Sequence, residues 1–175
     1  MAAGPNNRFL GKFRGRVIDN RDPLKLGRIT AQVPDVLGDE ASTWALPCLP
    51  FTGRHAGQYV VPQIGSGVWM EFEQGDPSFP IWTGSWYGDA SELPPRASAE
   101  LPGSQPVVIQ TPGEHKLVMS DVPGGTGILL EAKGGAYIQI DEKGVTVGTG
   151  KGASIVLTGD EVNINEGRLI VPKKR

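Results

Sequence analysis

The chain has 175 residues, a formal net charge of −2 and a hydrophobic content of 38%. Its 25 glycines and 15 prolines favour short strands and tight turns and argue against long helices. The balanced charge excludes a dominant phosphate-binding face, and the single cysteine, Cys48, excludes an intrachain disulfide. We expect Cys48 to be a buried small hydrophobe.

Targeting signals are not evident in the sequence. Residues 1–13 contain no apolar run of signal-peptide length, and no later stretch approaches the roughly 18 apolar residues of a membrane-spanning helix. We therefore expect the chain to be made in the cytoplasm and, if it acts outside the cell, to leave by another route.

The first half of the chain predicts a small closed barrel, residues 11–87, behind an N-terminal arm, residues 1–10. Alternating polar and apolar residues predict strands at 12–18, 27–33, 65–73 and 79–84. In the third of these, Val68, Met70 and Phe72 share one face. Short strands with Gly-rich corners favour an OB-fold barrel over a sandwich.

A change in composition marks the end of the barrel. Prolines at positions 94, 95, 102 and 106 predict a stiff polar linker over residues 88–105. Every aromatic residue except Tyr137 lies before this linker. The chain therefore divides into two parts of different chemistry.

The last part, residues 106–175, predicts a β-repeat needle. Short apolar alternations recur every eight to ten residues, with polar Gly-containing turns between them. A single flat meander of this kind would leave an apolar face in water, whereas three chains can bury it around one axis. We favour an intertwined trimer over a monomeric β-helix and predict a trimer core of Ile128, Ile138, Ile140, Val145, Val147, Ile155, Leu157, Val162 and Ile164. The fold class is therefore all-β: an OB-fold barrel followed by a trimeric β-helix or β-prism needle.

Both halves carry a family resemblance. The first half resembles the OB-fold domain of phage baseplate spike proteins, which include baseplate assembly protein V and the valine-glycine-repeat spikes of type VI secretion. The motifs that carry it include Gly15-Arg-Val-Ile, Asp22-Pro, Leu26-Gly-Arg-Ile, Val33-Pro, Trp44-Ala, Glu71-Phe-Glu and Gly75-Asp-Pro. Segments 152–158 and 162–164 resemble the triple-stranded β-helix that follows this domain.

The resemblance implies a homotrimeric central spike beneath a contractile tail or injection-system baseplate. Sheath contraction would drive it through the target envelope, with transient contact with the target membrane. The resemblance also implies assembly into a virion tail or an injection-particle baseplate.

The chain departs from its relatives in three ways. The linker is too short for the lysozyme domain that some relatives carry. The hub domain fused to type VI spikes is absent, so a separate tail hub partner is expected at the OB-fold end. His55 and His115 lie far from the C-terminus, which argues against an iron-sealed tip and favours a separate tip-capping protein.

No residue is assigned a catalytic, metal-binding or cofactor-binding role, and the protein is predicted not to be an enzyme. Glu71 and Glu73, two positions apart, would share the outer face of a strand and be solvated. His55 lies in a Gly-rich loop without an acidic neighbour, and His115 is expected to face solvent.

Two other functions are consistent with parts of the sequence. An OB fold can bind single-stranded nucleic acid, and the basic residues Lys12, Arg14, Arg16 and Arg28 could line one face near Trp69. A trimeric receptor-binding tail fibre also uses β-repeats, but it would have its aromatic residues at the C-terminal head. The acidic composition and the lean second half favour the spike, with no nucleic acid bound.

Overall fold

The computed structural model describes residues 8–98 and 104–172. The backbone forms two compact units, the first ending at Glu92 and the second beginning at Leu93. No helix among the described residues is long and apolar enough to cross a membrane.

The first unit is an OB-like barrel. Its described elements are β1 (Phe13–Asp19), β2 (Thr30–Gln32), α1 (Pro34–Leu37), β3 (Leu46–Pro47), β4 (Thr52–Gly53), β5 (Ala56–Gly57), β6 (Gly67–Phe72) and β7 (Pro80–Trp86). Five of them form a sheet in the order β2-β1-β6-β7-β3, and β4 and β5 form a separate hairpin. Ala45 and Ile29 exchange backbone hydrogen bonds of 2.7 and 3.3 Å, which joins the two edges of the sheet. The predicted all-β barrel is confirmed.

The barrel has a core of its own. Val68, Met70 and Phe72 share the inner face of β6 and are buried, as their alternation predicts. The Trp82 indole is also buried, and its Nε1–H donates to the Gly27 carbonyl oxygen at 3.1 Å, so its polar atom is satisfied. The rest of the core consists of Val17, Ile29, Ala31, Val33 and Ala45, with Phe9 and Phe13 packed against it.

The loop between β1 and β2 folds around Asp22. The carboxylate accepts backbone N–H groups of Leu24 at 2.9 Å, Leu26 at 2.7 Å and Arg28 at 3.2 Å. It also accepts the Arg28 guanidinium at 2.6 and 3.0 Å, and that guanidinium lies over the Trp44 ring. The Arg28 hydrogen bond, helped by the backbone donors, holds the pKa of Asp22 well below its usual range.

One expectation for this unit is wrong. Cys48 is exposed, not buried. Its backbone N–H donates to the Trp82 carbonyl oxygen at 2.9 Å, so the chain is fixed at the end of β3. A side chain at the end of a two-residue strand is held by its backbone alone, and the apolar character of cysteine does not decide which way it points.

Two short helices lie in the region predicted as a linker. Ala90–Glu92 and Pro95–Ser98 form 3₁₀ helices in the first and second units, respectively. Asp89 begins the first of them, because its carboxylate accepts the Ser91 N–H at 2.7 Å.

The second unit is an antiparallel meander. Its described strands are β8 (Val107–Gln110), β9 (Lys116–Met119), β10 (Ile128–Glu131), β11 (Tyr137–Asp141), β12 (Gly144–Gly148), β13 (Ser154–Thr158), β14 (Glu161–Ile164) and β15 (Leu169–Pro172). Each strand pairs with the next in the chain, so the eight-stranded order follows the sequence. Gly144, at φ +142°, begins β12 where a Cβ would collide with the Leu157 carbonyl oxygen, so the turn requires glycine.

The Asp22→Asn variant tests the loop around Asp22. Because the pKa of Asp22 is lowered on folding, its ionised form stabilises the barrel above about pH 4, and this contribution is lost as the pH falls further. We expect the variant to unfold on the order of 5 °C lower at pH 7, with a smaller difference at pH 3. All four tryptophans lie in this unit, so their fluorescence reports its unfolding.

Asp19→Asn is the matched control. Asp19 pairs with an exposed Arg21 at 2.9 Å, and surface pairs of this kind contribute little. The two variants should therefore differ clearly in midpoint, and equal midpoints would contradict a structural role for Asp22.

Candidate functional site

One face of the meander is aliphatic across every strand. The register places Ile128 opposite both Met119 and Ile140, and Ile140 opposite Val145. Directly opposed residues of an antiparallel pair lie on the same face, so the strands contribute adjacent aliphatic side chains. The described side chains of this aliphatic face are Val107, Ile109, Leu117, Met119, Ile128, Leu130, Ile138, Ile140, Val145, Val147, Ile155, Leu157, Val162, Ile164 and Leu169.

The structure places all nine residues of the predicted trimer core on the aliphatic face. Val145, Val162 and Ile164 are half-buried by their neighbours. The other six are between 41% and 45% exposed: Ile128, Ile138, Ile140, Val147, Ile155 and Leu157. Their place in a trimer core remains a prediction.

Sequence reasoning missed six members of the aliphatic face. Ile109 is the most exposed of these at 61%, followed by Val107 and Leu130 at 55% each. Short apolar runs are also present at 107–109 and 117–119, but counting the period from Ile128 left those strands out. The missed residues are Val107, Ile109, Leu117, Met119, Leu130 and Leu169.

The opposite face of the meander is mainly polar. Lys116 and Glu131 form a cross-strand ion pair at 3.1 Å, and the Gln139 amide donates to Asp141 at 3.0 Å. Val118 and Leu129 are buried on this side, in the first strands only. The sheet therefore has one face suited to water and one that is not.

A groove runs along part of the aliphatic face. Its floor is formed by one aliphatic residue from each of five strands: Leu130, Ile138, Val147, Ile155 and Ile164. Four small residues, Ala132, Ala136, Gly148 and Ala153, border it together with Tyr137, Thr149, Ser154 and Asn165. Small border residues allow another backbone to approach closely, so the groove can accept side chains from a second chain.

The residues considered for catalysis do not come together as a site. Glu71 pairs with Lys12 at 2.6 Å. The expectation that Glu73 shares a strand with Glu71 is wrong, because β6 ends at Phe72 and Glu73 begins a 3₁₀ helix. His55 is exposed in the turn between β4 and β5, and His115 is exposed as predicted. Among the described residues, no group of three or more His, Cys, Asp or Glu could hold a metal.

The basic residues of the barrel make contacts within the chain. Lys12 binds Glu71, and Arg28 binds Asp22. Arg16 donates to the Gly65 carbonyl oxygen at 2.8 Å. The Arg14 guanidinium lies 5.8 and 5.2 Å from the ring centroids of Trp69 and Trp86. The aromatic faces that a nucleic-acid base would stack on are therefore partly covered by Arg14.

Comparison with known families identifies both units. The model for the type VI secretion system/phage-baseplate injector OB domain matches residues 13–87. The model for the phage baseplate V C-terminal trimerisation domain matches residues 106–170. The chain belongs to the phage baseplate V family. No curated protein sequence matches it significantly.

The family match relates the aliphatic face to trimer formation. The trimerisation domain contains the whole described aliphatic face and supports a homotrimer. The resemblance to baseplate spikes, the all-β fold class and the structural spike function are confirmed. The matched families are structural baseplate and spike proteins, and nothing favours the nucleic-acid-binding or receptor-fibre alternatives.

Adjacent substitutions test whether the aliphatic face holds the trimer. Val147→Asp places a charge on the aliphatic face, whereas Thr146→Asp places the same residue on the opposite face. Burying an unpaired carboxylate costs several kcal/mol, on the order of 3 to 5, and it would occur in all three chains. We expect Val147→Asp to abolish the trimer in light scattering and Thr146→Asp to retain it. A trimeric Val147→Asp variant would contradict this role.

Proposed function

We propose that this protein is the central piercing spike of a contractile tail or injection baseplate, a homotrimer that works mechanically. The observation that carries the proposal is the continuous aliphatic face of a sheet matched to a trimerisation domain. A face of this size requires cover, and two further copies of the same chain supply it.

Strand dimensions support a narrow three-sided needle. Strands of four or five residues are about 13 to 17 Å long. If they run across the trimer axis, the axis lies about 4 to 5 Å from each of three sheets, which is the reach of an aliphatic side chain. If they ran along the axis, sheets about 34 Å wide would leave the axis about 10 Å away and the centre unfilled. Close packing therefore favours strands across the axis, in a β-prism.

This arrangement suits a body that transmits force. Hydrogen bonds between strands then point along the axis, and the aliphatic side chains fill the centre continuously. A thrust along the axis compresses packed layers instead of peeling one strand from a free edge. The needle would yield only when many contacts break together, which gives slow unfolding.

Work in this proposal comes from the sheath, and the spike supplies no chemistry. The carboxylates and histidines considered for catalysis are paired with other groups or separate from one another, which supports a protein without enzymatic activity. We propose residues 11–87 as the barrel behind an arm at 1–10, residues 88–105 as the linker, and residues 106–175 as the needle. Synthesis in the cytoplasm precedes assembly into the particle.

Partners are proposed at both ends. The tail hub would bind the barrel near the β4–β5 hairpin. Phe51, Tyr59 and Val60 around this hairpin are at least 60% exposed and are not part of the barrel core. A separate capping protein would cover the needle tip, and the target membrane would be contacted only during penetration. The hairpin supports a hub contact because two short strands alone are not stable in water.

Two measurements test the proposed function: the mass of the protein in solution and its position in the intact particle. Light scattering should give three times the 18.6 kDa chain mass, and the trimer should resist detergent on heating. Electron microscopy of the source particle should show a three-fold-symmetric density of matching size on the tail axis, beneath the tube. A monomer in solution, or a position away from the axis, would overturn the proposal.

A further inference from the structure

The turns of the meander form two lateral edges with different charge. Because successive strands run in opposite directions, alternate turns lie on opposite edges of the sheet. The acidic edge comprises the turns after β9, β11 and β13, and it carries Asp121, Asp141, Glu142, Lys143, Asp160 and Glu161. The basic-turn edge comprises the turns after β8, β10, β12 and β14. Three of its turns each carry one exposed cation: Lys133, Lys151 and Arg168. The edge also carries two exposed carboxylates, Glu114 in the turn after β8 and Glu166 beside Arg168.

The cations of the basic-turn edge are nearly unused within the chain. Lys133 reaches Glu114 at only 3.9 Å, with both side chains more than 60% exposed. Within the part of the chain that the structure describes, Lys151 and Arg168 form no ion pair. On the acidic edge, Glu142 and Asp160 likewise have no cationic partner among the described residues.

Three-fold symmetry brings these edges together. A closed ring of three identical sheets places one edge of each sheet against the opposite edge of the next. Both edges border the aliphatic face that the trimerisation domain uses, so they continue an interface already assigned. Rotation about an axis involves no translation along it, so equivalent strands of the three chains lie at the same height.

Equal height makes the two sets of turns interdigitate. Turns on one edge recur every second strand, about 9.6 Å apart, and the turns of the other edge are displaced by one strand, about 4.8 Å. Lys133 then lies between Asp121 and Glu142 of the neighbouring chain, and Lys151 between its Glu142 and Asp160. Arg168 lies beyond Asp160, at the height of the last described strands.

We propose that the basic-turn edge of each protomer forms interchain ion pairs with the acidic edge of the next protomer, with Lys151 between Glu142 and Asp160 as the central contact. The partner is a second copy of this chain, and the inference rests on the proposed trimeric spike. The charges favour cyclic closure, because a side-by-side two-fold arrangement of the sheets would place acidic edge against acidic edge. The aliphatic face supplies affinity, and the edges supply the arrangement.

Charge reversal on the two edges gives opposite expected results. Lys151→Glu would place a carboxylate between two others in each of three interfaces, and we expect trimer unfolding to become at least about tenfold faster at low salt. Lys143→Glu makes the same chemical change on the acidic edge, where it removes a cation that faces the neighbour's cations. We expect that variant to unfold no faster than the native trimer.

Rescue and salt complete this test. Adding Glu142→Lys to Lys151→Glu should recover at least half of the lost kinetic stability, and about 1 M salt should reduce the Lys151→Glu effect because screening shortens to about 3 Å. Equal effects of Lys151→Glu and Lys143→Glu, or no recovery in the double variant, would overturn the pairing while leaving the trimer intact.

A cysteine pair measures the contact directly. Lys151→Cys with Glu142→Cys, in a Cys48→Ser background, places the thiols on opposite edges of one sheet, about 15 Å apart. That separation excludes an intrachain disulfide, which requires Cα atoms within about 7 Å, so oxidation should give covalent trimers on a non-reducing gel. Lys133→Cys with Lys151→Cys, both on the basic-turn edge, is the control and should give none.

The outcomes separate this inference from the proposed function. A trimer in solution without covalent trimers in the first pair would overturn the edge pairing alone. A monomer in solution, in the native chain, would overturn the spike and the edge pairing together. Covalent trimers from the first pair and not from the control would support both.

Discussion

The need to cover one aliphatic face determines the organisation of the second unit. Each strand presents aliphatic side chains on that side, and eleven of those described are exposed in a single chain. Fully burying such a side chain stabilises a protein by about 1.5 to 3 kcal/mol relative to leaving it exposed, so the isolated sheet forgoes a large free energy. The polar opposite face and the glycine turns follow from the same requirement, because only one side can face inward around an axis.

The barrel meets the same requirement within one chain. Its sheet closes through the bridge between Ile29 and Ala45, and its core is sealed by Trp82, whose indole N–H is satisfied by Gly27. Asp22 and Arg28 organise the loop that supplies Gly27, so a partly buried ion pair supports the position of the largest core side chain. The two units thus differ in their cores: the barrel completes its core within the chain, and the second unit leaves its aliphatic face open, for which we propose cover by two further chains.

The alternation of apolar residues predicted which side of a strand most of the apolar residues occupy. It gave the inner face of β6 and nine members of the aliphatic face, since period-two patterns determine which side of a strand a residue occupies. It failed where backbone structure rather than side-chain polarity decides. Cys48 is exposed although its backbone N–H is bonded to the Trp82 carbonyl oxygen, and Glu73 lies in a 3₁₀ helix because β6 ends at Phe72. Tertiary pairings, such as Arg14 over Trp69 and Trp86, have no local signal in the sequence.

Edge charge is the feature of the needle that the aliphatic pattern leaves undetermined. Apolar packing is tolerant of small axial shifts, because one aliphatic row resembles the next along the meander. In the proposed trimer, a shift of one strand would place each basic turn level with a single acidic turn of the neighbouring chain instead of between two. The proposed edge pairing would therefore favour one register in all three chains, which a body that bears load along its axis requires. In that proposal the charged positions of the turns serve assembly, whereas other turn residues, such as Gly144 and Asp141, serve the fold of the single chain.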